Sequence, residues 1–72
     1  MSLLLPQEVS ATVRSARPVD IHGDRYVDVT LEIEGANVRT GRVPASDCPP
    51  DLAPGDQIRA RFVMGVMVSV KR

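Results

Sequence analysis

Little in this sequence is suited to chemistry. It holds one cysteine, one histidine and no tryptophan, with a single tyrosine and a single phenylalanine. A lone cysteine makes no internal disulfide, so a reducing compartment, the cytoplasm, is the expectation. Cys48 and His22 together cannot close a zinc site. Asp20, Asp24 and Asp28 are spaced by four and lack the alternating ligands of a calcium loop. The same Cys48 and His22 are the only nucleophile and base that could pair, and no third residue at a recognisable spacing would orient them. No catalytic residue, metal or cofactor is therefore expected, and the chain reads as a non-enzyme. Charge of one sign is lacking too: nine basic residues balance nine acidic ones. The basic surplus of a tight nucleic-acid binder is missing. Leu3-Leu4-Leu5, the apolar run near the start, is too short for a signal-peptide core or a membrane span, so no membrane role is expected.

What is present is alternation. The 72 residues make one small domain with a modest core. The last third is the clearest: Ile58, Ala60 and Phe62 alternate with Gln57, Arg59 and Arg61, and Val68 and Val70 repeat the pattern around Ser69. Keeping that apolar set on one face requires an odd loop. A three-residue loop, Met64-Gly65-Val66, would pair Val63 with Met67 and leave both facing outward. Pro54-Gly55-Asp56 is the turn that feeds this hairpin.

Earlier strands follow the same rule. Residues 1–7 form a tail or edge segment, and residues 8–72 the folded unit. Strand one runs Glu8–Ser15 with Val9, Ala11 and Val13 inward, and a loop follows over Arg17–Asp24. Strand two, Arg25–Glu34, turns Val27, Val29, Leu31 and Ile33 inward. A type II′ turn at Gly35-Ala36 would pair Glu34 with Asn37, placing Val38 inward and Arg39 beside Glu32. Strand three spans Asn37–Val43, where a bulge at Gly41 would bring Val43 inward, and Pro44 ends it. One helical turn at Pro50-Asp51-Leu52 would set Leu52 against one end of the core.

Five short strands with a brief helical turn between the third and fourth describe an all-β, five-stranded antiparallel Greek-key barrel of OB type. Residues 43–70, from Val43-Pro44 through Leu52-Ala53-Pro54-Gly55-Asp56-Gln57-Ile58-Arg59-Ala60-Arg61-Phe62 to Val68-Ser69-Val70, resemble the end of a TOBE-type OB domain. Such domains are appended to the ATPase subunits of binding-cassette importers, and related ones bind oxyanions such as molybdate. The Ser-Ala-Arg-Asn opening of the molybdate-binding members has only a partial echo here, in Ser15-Ala16-Arg17-Pro18. The resemblance thus implies the fold and carries over no binding residue.

Function is expected to be binding. In an OB barrel the face of strands two and three, with the loops joining strands one to two and four to five, forms the ligand cleft. Arg14, Arg17, Arg25 and Arg39 lie on or beside that face, and Tyr26 offers a ring for a base to stack on. Eight of the nine basic residues are arginine, which suits phosphate recognition. Weak single-stranded nucleic-acid binding through these five residues is the first expectation. Against it stand Asp28, Glu32 and Glu34 on the same face, which would make it a solvated, salt-bridged surface. Protein association or self-association through Val63, Met67, Leu3, Leu4 and Leu5 is the alternative, giving a monomer or weak homodimer. A small-oxyanion site, as the resemblance implies, ranks third.

Overall fold

The computed structural model describes residues 6–34 and 37–72. They form one antiparallel sheet of five strands: β1 (Gln7–Ile21), β2 (Asp24–Ile33), β3 (Asn37–Pro44), β4 (Gln57–Val63) and β5 (Val66–Lys71), in the order β3-β2-β1-β4-β5. A short 3-10 turn, Ala45–Asp47, follows β3. The helical turn thus begins directly after Pro44 rather than at Pro50-Asp51-Leu52. Leu52 still packs against the core.

β1 is much longer than its clean alternation suggests. It pairs with β4 over Gln7–Thr12 and with β2 over Ala11–Ile21. Val13 opposes Leu31 and Ser15 opposes Thr30, so Arg14 is an extra residue, a bulge that resets which side chains face the core. Beyond it Ala16 sits opposite Val29 and Pro18 opposite Val27. The stretch expected to be a loop is therefore strand. From Arg14 onward β1 has β2 on one side only, and such an edge tolerates Pro18. The reversal takes only His22 and Gly23, with φ of 51° and 85°, the pattern of a type I′ hairpin turn.

Two register expectations are corrected. Ile33, not Glu34, pairs with Asn37, which lengthens the β2–β3 connection by one residue; the turn type at Gly35-Ala36 lies outside the described residues. The shift flips β3. Val38 opposes Glu32 on the outer face and is 49% exposed, while Arg39 opposes Leu31 on the inner face, so the Glu32–Arg39 pairing is not made. The β2–β3 ladder then runs without interruption, Gly41 is not a bulge, and Val43 reaches the core through regular alternation.

At the second hairpin, Val63 pairs with Val66 across the two-residue turn Met64-Gly65, with φ of 52° and 80°. The conflict that the odd loop was meant to solve is solved by a bulge. Phe62 opposes Met67 and Arg61 opposes Ser69, so Val68 is the extra residue. Met67 and Val70 are thereby both buried, at 4% and 2% exposure, and Val68 is only half-buried. Met67 is core, not surface.

The core is Ala11, Val13, Val29, Leu31, Val43, Ile58, Ala60, Met67 and Val70, with Cys48 at its margin. β3 and β5 are the sheet's edges, with no ladder between them, but the curled sheet brings them together. A Cβ placed on Gly41 would lie 2.7 Å from the Met67 Cβ. Both atoms are fixed to backbone, so the crowding cannot relax by a change of rotamer. Gly41→Ala is expected to cost ~1–3 kcal/mol by overpacking this seam, a drop in melting temperature of roughly 4–8 °C per kcal/mol. Thr40→Ala, on the exposed outer face, is the control. Equal melting of the two variants would show that the strands are free to separate there.

Candidate nucleic-acid interface

The outer face of β1, β2 and β3 is built in cross-strand rows. Register places Ser15, Thr30 and Thr40 in one row, Arg17, Asp28 and Arg42 in the next, and Val19, Tyr26 and Pro44 in the third. The Thr30 and Thr40 hydroxyls lie 3.3 Å apart. Arg42 donates from Nε to Asp28 Oδ1 at 2.7 Å and from a terminal nitrogen to Oδ2 at 3.0 Å, a two-pronged pair. Arg17 flanks the same carboxylate from the other strand. The Arg42 hydrogen bond, with the nearby charges of Arg42 and Arg17, holds the Asp28 carboxyl below the usual carboxylate range. One carboxylate thus stands between two guanidinium groups, and the row carries a net positive charge.

The five residues expected to bind nucleic acid do not all meet. Arg17 and Tyr26 share the outer face, and Arg14 is exposed at the bulge beside it. Arg25 lies on the reverse side at the tip of the β1–β2 hairpin, its Nε 3.4 Å from Asp20 Oδ1 with both side chains well exposed. Arg39 is on the inner face at the far end of the sheet, beside Gln7 and Phe62. The β4–β5 turn is at that far end as well, so it does not face the β1–β2 turn across a cleft. Arg42 was missed because a bulge at Gly41 leaves its direction undefined. The regular register that sets it against Asp28 depends on the one-residue shift at the β2–β3 turn.

The surface expected to bind protein is also rearranged. Met67 is buried and Val63 half-buried, and Leu3, Leu4 and Leu5 lie outside the described residues. The exposed apolar side chains of that hairpin are Met64 and Val66. Cys48 follows the 3-10 turn, and burial raises its thiol pKa, which disfavours the nucleophilic thiolate. His22 occupies the β1–β2 turn. Among the described residues no three His, Cys, Asp or Glu side chains gather as metal donors. No helix there is long and apolar enough to cross a membrane.

A second charged cluster fastens the β3–β4 connection. Arg72 donates to Asp51 Oδ1 at 2.7 Å, to the Asp51 carbonyl at 3.1 Å and to Asp56 Oδ2 at 2.9 Å. Asp56 Oδ2 also accepts the Ala53 amide at 2.9 Å. Asp51 is held below the usual carboxylate range mainly by the Arg72 hydrogen bond, and Asp56 by the Ala53 amide and then by Arg72. Lowered folded-state pKa values contribute stability above the unfolded value, about 4, and lose it as pH falls through the folded values. Arg72→Gln should lower the melting temperature at pH 7 and flatten its fall below about pH 4, so that the two melting curves converge in acid. Curves that stay parallel would remove Arg72 as the cause of that acid sensitivity.

No family model matches this chain, nor does any curated protein or solved structure.

Proposed function

We propose that the chain is a non-catalytic binding module built on an OB-like Greek-key barrel, working in the cytoplasm, and that it takes single-stranded nucleic acid weakly across the outer face of β1, β2 and β3. The observation that carries this reading is the Arg17–Asp28–Arg42 row, set between a row of hydroxyls and the ring of Tyr26. Guanidinium groups hold phosphates, hydroxyls donate to phosphate or sugar oxygens, and an aromatic ring stacks a base without selecting its identity. The barrel frame is supported by the strand order, by the approach of β3 to β5 at Gly41 and Met67, and by the TOBE-like stretch over residues 43–70. Balanced charge makes the binding weak. The protein-association alternative loses a supporting residue, since Met67 is buried.

Titration with a fluorescent oligothymidine at low salt tests the reading. The dissociation constant should be micromolar or weaker. Single-strand binding loses about 0.7 in log–log salt slope per phosphate contact. With Arg14, Arg17 and Arg42 as donors, the slope should be no steeper than about −2. Asp28→Asn removes the competing carboxylate and should tighten binding. Tyr26→Ala should remove ~1–3 kcal/mol of stacking and leave the salt slope unchanged. No binding at about a hundred micromolar protein would end the proposal, since even non-specific affinities fall in that range.

A further inference from the structure

The opposite end of the sheet holds a cavity of about 330 Å³ that the nucleic-acid reading does not use. Val9, Ile33 and Phe62 give it an apolar floor, and Gln7, Asn37 and Arg39 supply its polar groups. Among the described residues no carboxylate lines it. Arg39 belongs to the inner-face row with Leu31 and forms no ion pair among the described residues. Phe62 packs against the core but remains half-buried, so its ring offers open apolar surface.

A volume of this size is at the small end of ligand sites, which combine apolar walls with a few polar anchors. An apolar floor favours a ligand with a hydrocarbon body. A single guanidinium with no competing carboxylate favours one anionic head, because a charge-assisted hydrogen bond from arginine is stronger than a neutral one. An inorganic oxyanion would use the arginine and leave the floor wet. We propose that this cavity binds a small amphipathic monoanion, a medium-chain carboxylate, with its head on Arg39 and its chain over Val9, Ile33 and Phe62. This site lies on different residues from the nucleic-acid face, so either can fail alone.

Nuclear magnetic resonance titration of the full chain with sodium butanoate, hexanoate and octanoate tests it, with inorganic phosphate and octanol as controls. Shifts should concentrate at Val9, Ile33, Asn37, Arg39, Phe62 and Gly65. Affinity should rise about fourfold per added methylene, the value of burying one such group. Arg39→Gln should weaken octanoate at least tenfold or so, with octanol and oligothymidine binding unchanged. The proposal is overturned by phosphate binding as tightly as octanoate, by Arg39→Gln leaving octanoate affinity intact, or by no shifts up to about ten millimolar octanoate, beyond the weakest useful affinities. Two other occupants would overturn it as well. One is the chain's own leucines, revealed by nuclear Overhauser contacts between Leu3–Leu5 methyls and the Phe62 ring without ligand. The other is a second copy, revealed by a dimer in sedimentation whose dissociation on dilution shifts the same lining residues.

Discussion

Everything in this sheet turns on the backbone of Val13. Its amide donates to the Asp56 carbonyl at 2.9 Å, and its carbonyl accepts the Gly55 amide at 2.8 Å. The partner is the turn Ala53-Pro54-Gly55-Asp56, where the Asp56 amide returns to the Ala53 carbonyl at 3.1 Å and Gly55 takes a φ of 94°. Proline second and a positive-φ glycine third are what a type II turn requires. β1 is the strand that joins the two halves of the sheet, pairing with β4 on one side and β2 on the other, and this is where it leaves β4 and continues with β2 alone. The next residue, Arg14, is the bulge. The pair of bonds at Val13 and the β1–β2 ladder on either side of Arg14 together fix where the strand changes faces and set Ala16 in register with Val29.

Much of this was legible in the chain, because burial on one face forces a period of two. β2 reads cleanly from Val27 to Ile33, and its Val29 and Leu31 are fully buried as expected. Strand count, all-β class and the Pro54-Gly55 turn follow from the same logic. The failures share one cause. A single inserted residue inverts every later side chain, and a bulge has no residue type of its own. Arg14 and Val68 are such insertions, and in a strict period of two each reads as the end of a strand or as a longer loop. His22-Gly23 and Met64-Gly65 are type I′ turns whose first residues are not the usual Asn or Asp, so their positive φ was not readable from composition.

The candidate face was half legible for the same reason. Tyr26 faces outward as expected because it follows β2's uninterrupted pattern, whereas Arg17, expected in a loop, reaches the same face through the bulge at Arg14. Through the one-residue shift at the β2–β3 turn Arg39 moves from the outer face to the inner one and lines the end cavity, while regular alternation sets Arg42 against Asp28. A chain with no net charge can still divide its surface in this way. A row with two cations to one carboxylate, or a cavity lined by an arginine and no carboxylate among the described residues, creates local positive potential without any overall surplus.

The ladder between β1 and β4 also sets an order of events for the folding chain. Each tight hairpin joins residues that are already neighbours along the chain, and such hairpins form within about 1–10 μs. Thr12 and Gln57, hydrogen-bonded at 3.0 Å where β1 meets β4, are separated by 45 positions. Joining them must overcome the loop entropy of everything between, and contacts this distant in sequence are what slow small β proteins. The two hairpins are fast and local; their union at Val13 is the step that waits. Until it happens, both hairpins expose their unpaired inner edges, and during that interval the molecule is most open to pairing with another copy of itself.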